Sequence, residues 1–260
     1  MINNKTAILY IATGKYSCFW DGFYKSSQQY FLGDLEKHYF IFTDDPKIKT
    51  KGNITSIYKK SEGFPMDSLF RFEMFWSIKE KLKEFDFVFF FNANMLFIDI
   101  VGNECLPNSK NSGLVALLHP TFYNKSARLY PYERSKKSTA YIPLKKQKFH
   151  YYMGSLNGGK TKEYLDLIKT CMENVRADYD KGIIAIFHDE SHLNCYLNKR
   201  QVLGLSPSYG YPEELKIPFQ KKIIMLEKTK VNSSFAKTPP EKFLKSTKRR
   251  LVKLYNILFW

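Results

Sequence analysis

The sequence is short of cysteine, of acidic residues and of long apolar runs. Its four cysteines, Cys18, Cys105, Cys171 and Cys195, are scattered without CxxC spacing. The scattered positions of these cysteines argue against a zinc ribbon or a disulfide framework, and they favour a protein of the reducing cytoplasm. No segment approaches the roughly 18 apolar residues that a membrane span needs. The first residues lack the charged leader and cleavage site of a signal peptide, so we expect a cytoplasmic protein.

Acidic residues are too few to balance the basic ones. The 25 Asp and Glu face 41 Lys and Arg, which gives a formal net charge of +16. Such an excess is typical of proteins that bind nucleic acid, an anionic membrane face or a diphosphate-bearing ligand. Part of the charge is concentrated in residues 241–260, where apolar residues recur at helix-like spacings. This basic amphipathic tail is predicted either to lie on anionic lipid or to dock on the core.

The first half predicts alternating strands and helices in a chain of 260 residues that is 44% apolar. The segments TAILYIATG, KHYFIFTDD and FDFVFFFN predict strands, and residues 19–30 and 67–85 predict helices, the second capped by Asp67 or Ser68. This order is typical of a mostly parallel α/β sheet, in which ligands bind beyond the carboxyl ends of the strands. Polar residues or glycine stand at those ends, at Gly14, Asp44, Asp45 and Asn92.

The second half adds two strands and a long amphipathic helix. We predict strands in GLVALLHP and KFHYYMGSLNGG, and a helix over residues 160–181 that Gly182 closes as its C′ residue. The segment IIAIFHDESHLNCYLNKR then predicts a short apolar strand, an acidic turn and a helix.

The stretch HDESHLN carries the densest chemistry. His188 and His192 have the spacing at which helical HExxH motifs bind zinc, but Glu190 stands two residues after the first histidine instead of one. A zinc-dependent hydrolase that uses these histidines is one alternative. A basic nucleic-acid-binding domain is another, although it leaves the acids of this motif unexplained. Asp189 or Glu190 alone would also suit the first turn of a helix.

Several motifs together resemble glycosyltransferase family six, namely YFIFTD, LHPTFY, YERS with TAYIP, YYMGSLNGG and HDESHLN. This family includes the histo-blood-group A and B transferases, an α-1,3-galactosyltransferase and shorter bacterial relatives. The resemblance implies a glycosyltransferase A fold, a Rossmann-like mixed α/β sheet flanked by helices in a single domain. That domain would span residues 1–240, with a UDP-binding half at 1–100 and an acceptor and catalytic half at 101–240.

The resemblance also implies an activity. The family moves galactose or N-acetylgalactosamine from a UDP-sugar to the 3-hydroxyl of a galactose, with retention of anomeric configuration. We therefore expect UDP-galactose or UDP-N-acetylgalactosamine as donor, a galactosyl or fucosyl-galactosyl glycan as acceptor, and no nucleic acid. A membrane-bound acceptor would suit the basic tail and would place the protein on the inner face of a bacterial membrane.

Site residues follow from the same resemblance, position by position. Glu190 would be the catalytic carboxylate, which can stabilise or attack an oxocarbenium-like centre. Donor-binding residues are expected at Ile11, Thr13, Tyr16, Arg71, Asn92, Ala93, Asn94, Met153, Gly154, Ser155 and Asp189. Acceptor-binding residues are expected at His119, Thr121, Phe187 and Glu190. Met153 matches the galactose-using type and Ser155 is bulkier than glycine, which leans slightly towards UDP-galactose.

The chain departs from the family at its metal motif. Mammalian relatives hold Mn²⁺ with Asp-x-Asp, where this sequence has Asn92-Ala93-Asn94. Neutral amides are weak ligands for a hard divalent cation, but their N–H groups can bond phosphate or sugar oxygens. We therefore expect no metal cofactor, and fixed cations at the leaving diphosphate. Lys228 and Lys230 are the candidates for this role, against the alternative that they are ordinary surface lysines.

Overall fold

A computed structural model describes residues 4–144 and 150–236 of the chain. Within them a seven-stranded sheet has the order β3-β2-β1-β4-β7-β6-β8. Its strands are β1 (Lys5–Ala12), β2 (Glu36–Thr43), β3 (Ile54–Tyr58), β4 (Phe87–Phe91), β6 (Leu114–Leu118), β7 (Tyr152–Lys160) and β8 (Leu203–Leu205). A smaller sheet joins β5 (Met95–Phe97), β10 (Ile223–Met225) and β9 (Tyr211–Pro212). The predicted tail at 241–260 lies outside the described residues.

Only β7 runs against its neighbours in the larger sheet that the described residues form. Strands β3, β2, β1 and β4 pair in parallel, β7 is antiparallel to β4 and to β6, and β6 is parallel to β8. The start of β7 therefore lies at the edge where β4 and β6 end. This topology brings residues 151–155 beside the segments that follow Phe91 and Leu118. The predicted mixed sheet, mostly parallel, is confirmed.

Helices cover both faces of the sheet. They are α1 (Trp20–Tyr30), α2 (Met66–Leu69), α3 (Arg71–Ser77), α4 (Lys79–Leu82), α5 (Thr161–Tyr179), α6 (His188–Leu197) and α7 (Lys228–Val231). Alternate residues of a strand face opposite sides. Accordingly, Phe89 and Phe91 of β4 pack in the cluster that contains α1, and Phe90 packs in the one that contains α3, α5 and α6. No helix among the described residues is long and apolar enough to cross a membrane.

The helix predicted over residues 67–85 is broken into three. The breaks fall at Phe70 and Ile78, both outside helical geometry. The predicted N-cap is also wrong, because α2 begins at Met66 after Pro65 and has no side-chain cap. The carboxylate of Asp67 instead accepts hydrogen bonds from the Thr13 hydroxyl and three groups of residues 61–63. The break at residue 70 makes Arg71 the first residue of α3.

The strand predicted before HDESHLN is wrong as well. Residues 183–187 form no strand, and Ile184 is exposed. A side chain binds this segment in place of a neighbouring strand. The backbone N–H of Ile186 donates to the buried carboxylate of Glu133 at 2.7 Å. Asp189 and Glu190 lie in the first turn of α6, which follows this irregular segment instead of a strand. Gly182, with φ +70°, lies two residues beyond the helix C-cap, Asp180, instead of at C′.

Candidate active site

The centre of the site is an irregular stretch of β7. Ala116 pairs with Asn157, yet the next residue of β6, Leu117, pairs with Met153, so residues 154–156 bulge away from β6. A β-bulge frees backbone groups from the ladder and re-aims them, and bulges are common beside active sites. The backbone of Gly154 can therefore bond to groups outside the sheet.

The predicted catalytic carboxylate, Glu190, is held by two donors. The Tyr151 hydroxyl donates to Oε1 and the Gly154 N–H donates to Oε2, each at 2.7 Å. Burial raises the pKa of Glu190, although the two hydrogen bonds act in the opposite direction. Four residues on along α6, the side-chain amide of Asn194 exchanges hydrogen bonds of 2.9 and 2.8 Å with the backbone of Tyr152. The helix is thus fixed to β7 through two side chains one turn apart.

Asp189 and Arg71 form a buried ion pair beside Glu190. Nη2 of Arg71 lies 2.5 Å from Oδ2 of Asp189, and Nη1 donates to the carbonyl of Gly154 at 2.8 Å. Burial raises the pKa of Asp189 to about 6; Arg71 lowers it and Glu190 raises it further. A Cβ on Gly154 would lie 2.9 Å from Nη2 of Arg71 and 3.4 Å from Glu190. A larger residue at position 154 would therefore displace the guanidinium group of Arg71, so the present arrangement favours glycine.

The Asn92-Ala93-Asn94 turn follows β4 and is tied to the same bulge. The Asn92 N–H donates to the carbonyl of Ser155 at 2.8 Å, and the buried hydroxyl of Tyr10 donates to the carbonyl of Ala93 at 2.8 Å. The side-chain amide of Asn94 donates to the carbonyl of Leu226 at 2.9 Å. The half-buried side chain of Asn92 makes no hydrogen bond to the described residues. The two asparagines therefore differ in what their amides hold.

The two candidate lysines lie in different surroundings. Nζ of Lys228 donates to the Tyr16 hydroxyl at 2.9 Å and lies 4.7 Å from the centre of that ring. Nζ of Lys230 instead pairs with Glu213 at 3.3 Å and with Glu214 at 4.0 Å, and its side chain is 56% exposed. The structure therefore brings Lys228, and not Lys230, to a predicted donor-binding residue.

Two further predicted donor-binding residues, Ile11 and Thr13, lie at the end of β1. The Thr13 hydroxyl donates to Asp67 at 2.9 Å, and half-buried Ile11 packs against the cluster on the α3 side of the sheet. Gly14, which follows Thr13, has φ +53°, and its backbone N–H donates to the carboxylate of Asp44 at 2.7 Å. Ile11 is the second-last residue of β1, whereas Gly14 and Asp44 lie beyond the carboxyl ends of β1 and β2, as predicted.

Two of the predicted acceptor residues, His119 and Glu190, contact Tyr151. The N–H of His119 donates to the Tyr151 carbonyl at 2.9 Å, and Nδ1 of His119 accepts from the N–H of Thr121 at 3.1 Å. Burial lowers the pKa of His119 to about 4, so the ring is neutral near pH 7 and carries its proton on Nε2. Phe187 stands directly before α6, where its N–H donates to the Ser191 hydroxyl at 3.0 Å.

The two histidines of HDESHLN do not converge on one point. His192 is 2% exposed, with Nε2 3.8 Å from Asp178, and burial lowers its pKa to about 4. The ring of His188 instead packs edge-on against Phe64. Across residues 4–144 and 150–236, no group of three or more His, Cys, Asp or Glu could hold a metal ion. The geometry gives the zinc-hydrolase alternative no ligand set in that part of the chain.

Sequence reasoning missed three residues that position the site, Tyr10, Tyr151 and Asn194. A weak signal existed for Tyr151, because a tyrosine beside a buried strand needs a partner for its hydroxyl. Asn194 stands four residues after Glu190, which places both on one face of a helix. Nothing local marks Tyr10, whose partner Ala93 is 83 residues away in the sequence.

Known proteins resemble the chain over most of its length. The sequence model of the family described as Glycosyltransferase family 6 matches residues 2–237. O-antigen biosynthesis glycosyltransferase WbnI of Escherichia coli is 37% identical over 223 residues, which are 85% of this chain and 94% of that protein. Globoside alpha-1,3-N-acetylgalactosaminyltransferase 1 of Mus musculus is 29% identical over 248 residues, 91% of this chain and 70% of that protein. Histo-blood group ABO system transferase 2 of Rattus norvegicus is 32% identical over 223 residues, 82% of this chain and 65% of that protein.

Proposed function

Since the chain belongs to glycosyltransferase family 6 and is a hexosyltransferase with a nucleotide-sugar donor and a glycan acceptor, we propose a specific reaction for it. It transfers galactose or N-acetylgalactosamine from UDP to the 3-hydroxyl of a galactosyl acceptor and retains the α configuration. Its mouse and rat relatives, named as an α-1,3-N-acetylgalactosaminyltransferase and a blood-group transferase, support this proposal. The mixed sheet flanked by helices is consistent with a glycosyltransferase A-like fold.

The observation that carries the proposal is the fixed carboxylate of Glu190. Two hydrogen bonds, from Tyr151 and Gly154, orient it at the edge where ligands bind in such sheets. Cleavage of the sugar–phosphate bond leaves positive charge on the anomeric carbon, which a preorganised carboxylate stabilises or attacks. Beside it, Asp189 would accept hydrogen bonds from hydroxyls of the transferred sugar, and Arg71 would keep Asp189 in place.

The leaving UDP needs positive charge or hydrogen-bond donors at its diphosphate. The Asn92-Ala93-Asn94 turn does not fit the Mn²⁺ that mammalian relatives use, because both side chains are neutral amides, which are weak ligands for a hard divalent cation. We propose a metal-independent reaction in which the free amide of Asn92 donates to phosphate or sugar oxygens. Lys228, beside Tyr16, supplies the positive charge.

The proposed choice between UDP-galactose and UDP-N-acetylgalactosamine depends on Ser155, which lies in the bulge of β7. The hydroxyl of Ser155 is buried and has no hydrogen-bond partner in the described part of the chain. Buried hydroxyls are costly without a partner, so a hydroxyl of the donor sugar would satisfy it. Together with Met153, this residue favours UDP-galactose slightly over UDP-N-acetylgalactosamine.

For the acceptor, we propose a terminal galactose, fucosylated in blood-group-like glycans. The neutral ring of His119 would donate from Nε2 to an acceptor hydroxyl, with Thr121 fixing the tautomer through Nδ1. Phe187 offers an aromatic face next to Glu190. A lipopolysaccharide acceptor would agree with the O-antigen relative and with a cytoplasmic protein that reaches anionic lipid through residues 241–260. We propose no nucleic-acid partner, since a nucleic-acid-binding domain would leave the pair of acids at the start of α6, Asp189 and Glu190, without a role.

A transfer assay tests this function. The protein is incubated with UDP-galactose or UDP-N-acetylgalactosamine and a galactose-terminated oligosaccharide, with and without fucose, and the product is analysed by NMR. We expect an α-1,3-linked product, with UDP-galactose the faster donor. A β-linked product, or release of UDP without transfer, would contradict the proposal. Retardation of DNA or RNA in gels without any sugar transfer would support the nucleic-acid alternative instead.

A further inference from the structure

Asn94 joins the turn after β4 to a distant part of the chain. Strands β5 and β10 pair antiparallel, with Met95 opposite Met225. Asn94 and Leu226 form the next rung, in which the Leu226 N–H donates to the Asn94 carbonyl at 2.8 Å. The side-chain nitrogen of Asn94 returns a hydrogen bond to the Leu226 carbonyl at 2.9 Å. Asn94 therefore holds both backbone groups of one residue that lies 132 positions later.

This contact requires an amide. An aspartate at position 94 has no N–H to give to the Leu226 carbonyl, and its ionised carboxylate would face that oxygen. Asn92, in the same turn, has no such restriction, because its side chain bonds to no described residue. The structure thus gives a reason for asparagine at the second position that is independent of metal binding.

The segment that Asn94 holds carries Lys228 two residues later. Glu227 lies between Leu226 and Lys228. Its N–H donates to the carboxylate of Glu213 at 2.7 Å, and its own carboxylate accepts from the Thr229 hydroxyl at 3.0 Å. The path from Asn94 to the ammonium group of Lys228 is therefore short and bonded at each step. A loosened rung at Leu226 would release the lysine from its place beside Tyr16.

We propose that Asn94 is a positioning residue, which acts on the diphosphate of the donor through Lys228. This inference rests on the proposed function, because it takes Lys228 to be the cation at the leaving group. On this proposal the Asn92-Ala93-Asn94 turn and residues 226–228 act together. Asn92 binds the ligand, and Asn94 keeps Lys228 in position.

Hydrogen exchange of the ligand-free protein tests the contact itself. Asn94→Ala should speed exchange of the Leu226 amide by about fivefold, the effect of one lost hydrogen bond. Asn92→Ala is the matched control, since it removes the same amide from the same turn, and it should leave the Leu226 exchange rate unchanged. Equal exchange in wild type and Asn94→Ala would overturn the proposal whatever the enzyme binds.

Binding of UDP and of uridine tests the path through Lys228. We expect Lys228→Ala to weaken UDP binding by about tenfold and Asn94→Ala by about fivefold, both without effect on uridine, which lacks the diphosphate. The double variant should bind UDP no more weakly than Lys228→Ala alone. Multiplied effects in the double variant would overturn the proposal, because Asn94 would then act on the ligand directly. Failure of the wild-type protein to bind UDP would overturn the proposed function and this path, while hydrogen exchange still reports on the contact.

Discussion

The hydroxyl of Tyr151 donates to Oε1 of Glu190 at 2.7 Å, while the backbone of Gly154 occupies Oε2. Tyr151 and Glu190 are 39 positions apart in the sequence. Tyr151 is buried, and its ring packs against the ring of His119. A buried hydroxyl with its proton directed at the carboxylate both orients Glu190 and favours its ionised form.

Removing this hydroxyl should slow catalysis more than it weakens substrate binding. Tyr151→Phe leaves the ring in place and takes away one hydrogen bond to a charged group, so we expect kcat to fall by about tenfold. The pKa of Glu190 should rise further, which moves the acidic limb of the pH–kcat profile to higher pH. Tyr152→Phe is the control, because the Tyr152 hydroxyl makes no hydrogen bond to the described residues. Similar profiles for the two variants would contradict this role.

Activity should fall on acidification near the pKa of Asp189. Burial raises this pKa to about 6, so the carboxylate takes up a proton as the pH drops through that value. The protonated group loses its ion pair with Arg71 and one acceptor for sugar hydroxyls. We expect kcat/KM for the UDP-sugar to decline below about pH 6, as measured by initial rates between pH 4.5 and 8. A profile that stays flat down to pH 5 would show that ionised Asp189 is not required.

Divalent metal ions should not be needed for turnover. The amides of Asn92 and Asn94 replace the carboxylates of the metal motif, and the second amide already holds Leu226. We expect equal transfer rates in buffer with EDTA and in buffer with added Mn²⁺. Loss of activity in EDTA together with rescue by Mn²⁺ would contradict metal independence, while leaving the assignment of Glu190 untouched.

Lys228 and Lys230 give a matched pair of substitutions. Lys228→Ala removes the cation beside Tyr16, so we expect kcat/KM to fall by about tenfold or more. Lys230→Ala removes a lysine that pairs with Glu213 and is largely exposed, and it should change the rate by less than about twofold. The measurement is kcat/KM for the donor at a fixed acceptor concentration. A larger loss for Lys230→Ala would mean that this segment rearranges when the donor binds.

The sheet and its polar edge were predictable from local patterns. The apolar runs that become β1, β2, β4 and β6 are short and end in polar or turn-forming residues, which is a strong strand signal. The order of elements then predicted a mostly parallel sheet with Gly14, Asp44, Asp45 and Asn92 at its carboxyl edge. The predicted division at residue 100 and the tail beyond 240 remain predictions.

Contacts between distant residues were not predictable in this way. The run IIAIF has the composition of a strand, but its backbone bonds to Glu133 and Asp178 instead of to a sheet. Similarly, the bulge at Gly154 arises from a register shift against β6, and no local pattern encodes such a shift. At residues 183–187 a hydrogen bond to the distant Glu133 stands in place of strand pairing, against the local propensity.

The most direct test of the account is the initial rate of Glu190→Gln beside wild type, with each UDP-sugar and a galactosyl acceptor. The substitution keeps the size of the side chain and removes the negative charge that would stabilise the anomeric centre. We predict a loss of at least about a hundredfold in kcat with a donor KM within a few fold of wild type. Equal activity of wild type and Glu190→Gln would contradict the central claim that this carboxylate drives the transfer.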